Sequence, residues 1–231
     1  MTKRYFVTGG TGFIGFELIK RLLEDGHQVH CLYRSESKAE PLRGLDGQDQ
    51  LQLFKGTLSD YLQLKAAMEG CDGVFHVAAL ARAWSQGAND FEEINVKGTR
   101  NVLEAANDQG VGRVVFTSTG GTLAPGTLDQ PADEATPRQR GFYNLYEQTK
   151  YQSEQDIRDF AEQGGDALTV NPTRVYGPGV LSISNAATML IQRYINGTWR
   201  FMLGDGDSQG NFTYVKDVVE GHILAMAHGR P

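Results

Sequence analysis

RYFVTGGTGFIGFELIKRLLEDG, residues 4–26, decides the fold. Arg4–Thr8 reads as a short buried strand. Phe13–Glu24 reads as a helix with Ile14, Leu18, Ile19, Leu22 and Leu23 on one side, and Gly26 ends it. Between and within them stand Gly9, Gly12 and Gly15. Glycine is disfavoured in a helix, since it loses much backbone freedom on ordering and packs no side chain. The spacing supplies the reason. Gly9 permits a tight turn, Gly12 lets the backbone approach a pyrophosphate, and Gly15 lets the helix lie close to the sheet. The free N–H groups of the first helical turn then face the phosphates.

The pattern continues outward. Gln28–Tyr33 is a second strand, and Glu36–Gly47 a short helix or loop. Gln50–Phe54 is a third strand, Tyr61–Met68 a helix stopped by Gly70, and Gly73–Ala78 a fourth strand. Phe91–Asn107 is a long helix, Val111–Thr117 a fifth strand, and Gly120–Arg140 a loop. Tyr143–Gln163 is another long helix and Asp166–Asn171 a sixth strand. Alternating strands and helices with apolar strands predict an α/β, doubly wound parallel (Rossmann) sheet covered on both faces. Residues 1–177 form the expected dinucleotide-binding domain. After Gly177 and Pro178 the pattern changes: a helix over Ala186–Asn196, a short strand over Trp199–Met202, a turn over Asp205–Gln209 and a helix over Asp217–Ala227. Residues 178–231 read as a small substrate-binding lobe, interleaved with the main domain and incomplete.

Composition narrows the partners. The 231 residues carry a formal net charge of -6, which argues against nucleic acid and against an anionic membrane surface. No stretch has the length of a membrane span. Cys31 and Cys71 have no CxxC spacing and read as free thiols in a reducing, cytoplasmic setting. No cluster of His, Cys and carboxylates has metal-ligand spacing, so no metal is expected.

Three places carry candidate chemistry. The second strand ends in Tyr33-Arg34-Ser35, with no carboxylate at its tip to grip a ribose 2′-hydroxyl. The Arg34 fork, with Ser35 and Lys38, suits a 2′-phosphate instead, so NADP is expected over NAD. Tyr146 and Lys150 in YEQTK lie four apart on one helical face. An ammonium beside a phenol lowers its pKa and lets it exchange a proton with a substrate oxygen. Thr117, Ser118 and Thr119 end the fifth strand, where doubly wound sheets bind ligands. Gly120 and Gly121 follow Thr119, so no carboxylate flanks the hydroxyls, which argues against a sugar dehydratase. His76, inside the fourth strand, reads as a structural histidine.

These motifs together resemble the extended short-chain dehydrogenase/reductase family, the NAD-dependent epimerase/dehydratase group. The marks are VTGGTGFIG (7–15), GCDGVFHVAA (70–79), NVKGTRNVLEAA (95–106), VVFTST (114–119), YEQTK (146–150), NPTRVYGPG (171–179) and NFTYVKDVVEG (211–221). The resemblance implies that Tyr146 is the catalytic tyrosine, Lys150 its partner and Thr119 the catalytic hydroxyl. It further implies cofactor contacts at Phe13 and Ile14 beside the pyrophosphate, at Ala78 and Ala79, and at Pro172 and Val175 near the nicotinamide. Asn95 and Thr117 complete the expected contacts. GTLSD places Thr57, followed by Leu58, where the family carries an adenine-binding Asp. GHQVHCLYRS and FTSTGGT look more like the dihydroflavonol and aldehyde reductase branch than like a sugar epimerase. Family members continue past YVKDVVEG, so a fragment of a longer chain is expected. The helices Phe91–Asn107 and Tyr143–Gln163 resemble the pair that forms a homodimer interface in relatives. The resulting expectation is an NADP(H)-dependent oxidoreductase acting on a small carbonyl or alcohol. The alternatives are a nucleotide-sugar epimerase or related NAD-dependent epimerase/dehydratase, and a non-catalytic dinucleotide-binding protein.

Overall fold

Six strands lie parallel in the order β3-β2-β1-β4-β5-β6. They are β1 (Arg4–Thr8), β2 (Gln28–Tyr33), β3 (Leu51–Lys55), β4 (Gly73–His76), β5 (Arg113–Thr117) and β6 (Ala167–Val170). The helices are α1 (Phe13–Glu24), α2 (Glu36–Arg43), α3 (Tyr61–Met68), α4 (Gly98–Asp108), α5 (Leu145–Glu162), α6 (Ala186–Ile195) and α7 (Val215–His228). A second, two-stranded parallel sheet joins β7 (Arg174–Tyr176) to β8 (Phe212–Tyr214). The computed structural model describes residues 1–82, 87, 89–180, 185–202, 204–207 and 209–231.

β1 shows why both faces are covered. Its side chains alternate across the sheet. Phe6 packs with Leu64 and Met68 of α3, Val102 of α4 and Ile157 of α5. Tyr5 and Val7 face the other way, among Leu18, Ile19 and Leu22 of α1 and Val219 of α7. Val7 is register partner to Cys31 on one side and Phe75 on the other. The strand order therefore reverses between β1 and β4, and the crevice beyond their C-terminal ends is where such a sheet holds a ligand.

The doubly wound parallel sheet is as the sequence predicts, and three elements differ. The helix expected over Phe91–Asn107 opens with a wide π-helical turn, Glu92–Lys97, before α4. No strand forms over Trp199–Met202; Phe201 and Met202 are exposed there. The small sheet uses β7 and β8 instead, with Val175 paired to Thr213. These three-residue strands are too short to show a period. The turn expected over 205–209 includes Ser208, which lies outside the described residues; Asp207 N donates to Asp205 Oδ1 at 3.1 Å. α7 lies against the main sheet. Arg113 of β5 donates to the carbonyls of Ala225 and Met226 while pairing with Asp166. No helix among the described residues is long and apolar enough to cross a membrane.

Candidate active site

The glycine turn is closed to side chains. Gly9 has φ +74°, and a Cβ there would lie 2.6 Å from Ala78 N; a Cβ on Gly15 would lie 2.3 Å from Gly9 O. Gly12 N donates to Gly9 O at 2.9 Å. Gly12 also caps α1 with no side-chain hydrogen bond, and the first turn holds no acidic residue. The first-turn N–H groups are thus left to an external anion, with the positive end of the helix dipole behind them. This uncapped, acid-free turn with close backbone approach fits a dinucleotide pyrophosphate. Phe13 is buried and Ile14 half-buried beside it.

A buried polar chain fixes the exit of β4. Ala78 N donates to Thr8 Oγ1 (3.1 Å), which lies 2.7 Å from His76 Nδ1; His76 Nε2 lies 3.0 Å from Thr99 Oγ1. Thr99 gives its one proton to Asn95 O at 2.6 Å. It must therefore accept from Nε2–H, and Nδ1 accepts from Thr8. The wide turn turns the Asn95 carbonyl aside, where Ser153 Oγ also donates to it (2.9 Å). The Asn95 amide accepts from Leu80 N (2.8 Å) and donates to Thr149 Oγ1 (3.1 Å), tying the segment after β4 to α5. Asn95 is thus a clamp, 2% exposed.

α5 presents Tyr146 and Lys150 toward the end of β5. Asn144 caps the helix by accepting from Glu147 N at 2.9 Å. The Thr119 hydroxyl stands beside the Tyr146 phenol and draws its pKa down, but burial dominates and pushes the phenol up to about 12. Lys150 is 1% exposed, with Nζ 3.8 Å from the centroid of the Phe116 ring. Burial lowers its pKa to about 7, against the opposing field of Glu154. The sequence predicts an ammonium that depresses the phenol. Here burial acts on both groups, raising the phenol and lowering the amine.

Other expected contacts lie where the chain uses them differently. Thr117 Oγ1 meets His222 Nε2 of α7 at 2.8 Å, and His222 Nδ1 donates to Val218 O, so the Thr117 hydroxyl is the donor and is turned away from Tyr146. Ser118 Oγ is buried without a hydrogen-bond partner among the described residues. Thr57 is exposed and bonded to Ser59 (2.8 Å); Leu58 O accepts from Asn101. Ala78 and Ala79 are half-buried at the exit of β4. Pro172 O accepts from Gly120 N (2.8 Å), joining the segment before β7 to the Thr119 turn, and Val175 lies in β7.

At the tip of β2, Arg34 is exposed and makes no hydrogen bond to another described residue. Glu36 is drawn back over the strand end instead. It accepts from Tyr33 Oη (3.0 Å) and pairs with Arg43 (2.8 Å) and Lys55 (3.1 Å), with its carboxyl held down to about 2, chiefly by Arg43. Glu147 Cγ lies 2.9 Å from where a Gly121 Cβ would stand, so a carboxylate does flank the hydroxyl turn. It accepts from Tyr143 N (3.0 Å) and lies 3.7 Å from Arg138. Arg138 in turn donates to the carbonyls of Gly121 and Leu123. Sequence reasoning missed Arg138, Glu154, Asn171 and His222. Only Glu154, four residues past Lys150, carried a spacing signal.

Buried His76 and His222 carry a stability prediction. Burial lowers both pKa values, His76 to about 3. The unfolded chain binds these protons first, so the folded state loses stability as pH falls from the unfolded value of 6.5 toward 3. Urea titrations between pH 7 and pH 5 should show His76 removing on the order of 1 kcal/mol of stability per pH unit once below its unfolded pKa, with His222 acting in the same direction. A flat profile over that window would contradict their buried, neutral state.

Fold and site together define a dinucleotide-binding α/β protein with Thr119, Tyr146 and Lys150 gathered beyond the end of β5. Residues 5–231 match the NAD dependent epimerase/dehydratase family, and the chain belongs to it. It is 36% identical over 229 residues to cinnamoyl-CoA reductase 1 of Petunia hybrida, covering 94% of this chain and 67% of that one. It resembles the dTDP-glucose 4,6-dehydratase of Streptomyces venezuelae solved with NAD (TM-score 0.82, 27% identity, 98% of this chain and 73% of that one). It also resembles the Thermus thermophilus UDP-glucose 4-epimerase complex with NAD (TM-score 0.79, 26% identity, 96% and 74%). The chain spans 60–67% of the length of the curated relatives it matches. The expectation of NADP is overturned: the dinucleotide in these and other matched structures is NAD. Arg34 misled because a cation next to a strand end in sequence need not point at the ribose, and here a carboxylate, Glu36, is held over that end.

Proposed function

We propose that this chain binds NAD at the glycine turn and that Tyr146 exchanges a proton with a hydroxyl or carbonyl oxygen of a nucleotide-sugar substrate. The observation that carries the reading is the placing of the Thr119 hydroxyl beside the Tyr146 phenol, one helical turn from the buried Lys150. Gly9, Gly12, Phe13, Ile14 and Gly15 would hold the pyrophosphate, Glu36 the adenosine ribose, and Thr57 and Leu58 the adenine edge. Ala78, Ala79, Lys150, Pro172 and Val175 would line the nicotinamide half, with Asn95 acting through the backbone it clamps.

Bound NAD supplies the hydride acceptor in oxidation and, once reduced, the hydride donor in the reverse step. In oxidation, Tyr146 as phenolate takes the proton of the substrate hydroxyl; in reduction, the phenol returns it to the carbonyl oxygen. Thr119 donates to that same oxygen and orients it. Lys150, when protonated, favours the phenolate by its charge. Substrate identity follows the UDP- and dTDP-sugar enzymes among the structural relatives. An epimerase returns its hydride within each turnover. Incubation with NAD and UDP-glucose or dTDP-glucose should therefore give new sugar signals by proton NMR with no lasting rise in absorbance at the NADH band. Net, stoichiometric accumulation of NADH would reject this reading.

The 36% identity to a cinnamoyl-CoA reductase favours a second reading, reduction of a small carbonyl substrate. Consumption of NADH with aldehydes or CoA thioesters, and none of the sugar conversion, would establish it instead. NAD binding without turnover of either class would leave the dinucleotide-binding reading alone.

A further inference from the structure

Glu154 stands one helical turn past Lys150 on the same face of α5. Its Oε1 accepts from Thr122 Oγ1 (2.7 Å) and from Asn171 Nδ2 (2.7 Å). Thr122 Oγ1 also lies 2.7 Å from Thr119 O, and Asn171 Nδ2 lies 3.0 Å from Thr122 Oγ1. One carboxylate therefore gathers three segments: the turn that carries Thr119, the helix that carries Tyr146 and Lys150, and the chain leaving β6. Lys150 is buried against Phe116, with no carboxylate within ion-pair distance among the described residues. The titratable groups that face it are Glu154 on its own helix and His76 from β4, which burial keeps neutral. Glu147 acts on Tyr146 rather than on the lysine. Among the described residues, Glu154 is the carboxylate whose charge opposes the loss of the ammonium.

We propose that Glu154 is a positioning residue of this site: held by Thr122 and Asn171, its carboxylate is the counter-charge of Lys150 and locks the Thr119 turn, α5 and the end of β6 into one block. The proposal rests on the reading of Tyr146 and Lys150 as the reacting pair, and its test separates the two.

Glu154→Gln keeps an oxygen that accepts from Thr122 and Asn171 but removes the charge. In protein labelled with carbon-13 at the lysine ε carbons, with Lys150→Met identifying the signal, the Lys150 titration should fall by about one pH unit in E154Q. The alkaline limb of kcat should move down with it while KM stays near the parent value, and Glu154→Asp should restore most of the shift. An unchanged Lys150 titration in E154Q would overturn the proposal. A shifted titration combined with full activity in K150M would uphold the counter-charge and overturn the reacting-pair reading instead. The parent protein supplies a test that needs no variant: the backbone-assigned Glu154 carboxyl carbon should report an ionised group at neutral pH. A protonated carboxyl there would overturn the proposal even if E154Q failed to fold.

Discussion

Tyr146→Phe should lower kcat by roughly 10²–10⁴-fold, the usual weight of a positioned proton donor, while NAD affinity stays close to the parent value. The substitution deletes one hydroxyl from a side chain already anchored by α5, so the helix and the glycine turn have no reason to move. What is lost is the atom that gives and takes the proton beside Thr119. The Thr119 hydroxyl keeps its contact from Gly121 N at 3.2 Å, so the turn should hold its shape. Calorimetric titration with NAD and steady-state rates on the same preparation give both halves of the result. Unchanged turnover would remove Tyr146 from the chemistry; lost NAD binding would mean that the hydroxyl shapes the pocket.

Gly15→Ala should cost both stability and NAD binding. The added methyl would lie 2.3 Å from Gly9 O and 2.9 Å from Gly10 Cα, both backbone atoms that no rotamer change can move aside. Relief requires α1 to back away from the turn. Overpacking of this kind costs about 1–3 kcal/mol. The same movement would take the first-turn N–H groups away from where a pyrophosphate sits, so NAD binding should be lost even in the fraction that folds. Urea unfolding and NAD titration of G15A measure the two effects. Gly26→Ala is the matched control, since a Cβ there meets nothing within 4 Å, although its φ of +78° makes even that change mildly strained. Native NAD affinity in G15A would show that the helix does not need its close approach.

The glycine turn was legible in the sequence because its signal is local: a strand, three glycines at fixed spacing and an amphipathic helix within about two dozen residues. Tyr146 and Lys150 were legible for the same reason, four apart on a helix. What the sequence hid depends on segments far apart along the chain. Thr117 reads as a site hydroxyl until α7 brings His222, 105 residues later, to take its proton. Arg34 reads as a ribose ligand until the Tyr33 hydroxyl draws Glu36 across the strand end. Glu147 reads as an ordinary first-turn acid until Gly121 comes to rest against it. Spacing shows that Tyr146 and Lys150 are neighbours, while the burial that acts on how each holds its proton has no mark in spacing.

The wide turn at Glu92–Lys97 is where this helix could lose one codon without turning its two flanks against each other. A π-helical turn holds more residues than an ordinary one, so removing one would let the helix close up regularly. The same loss inside the regular α4 would rotate one side of the deletion against the other by about 100°. With the wide turn closed up, Phe91 before it and Val102 after it, 2% and 0% exposed, would both stay buried, and what would go is the outward-turned Asn95 carbonyl that holds Ser153. The same deletion among the exposed residues 126–131 would shorten a surface loop and leave the helical register untouched.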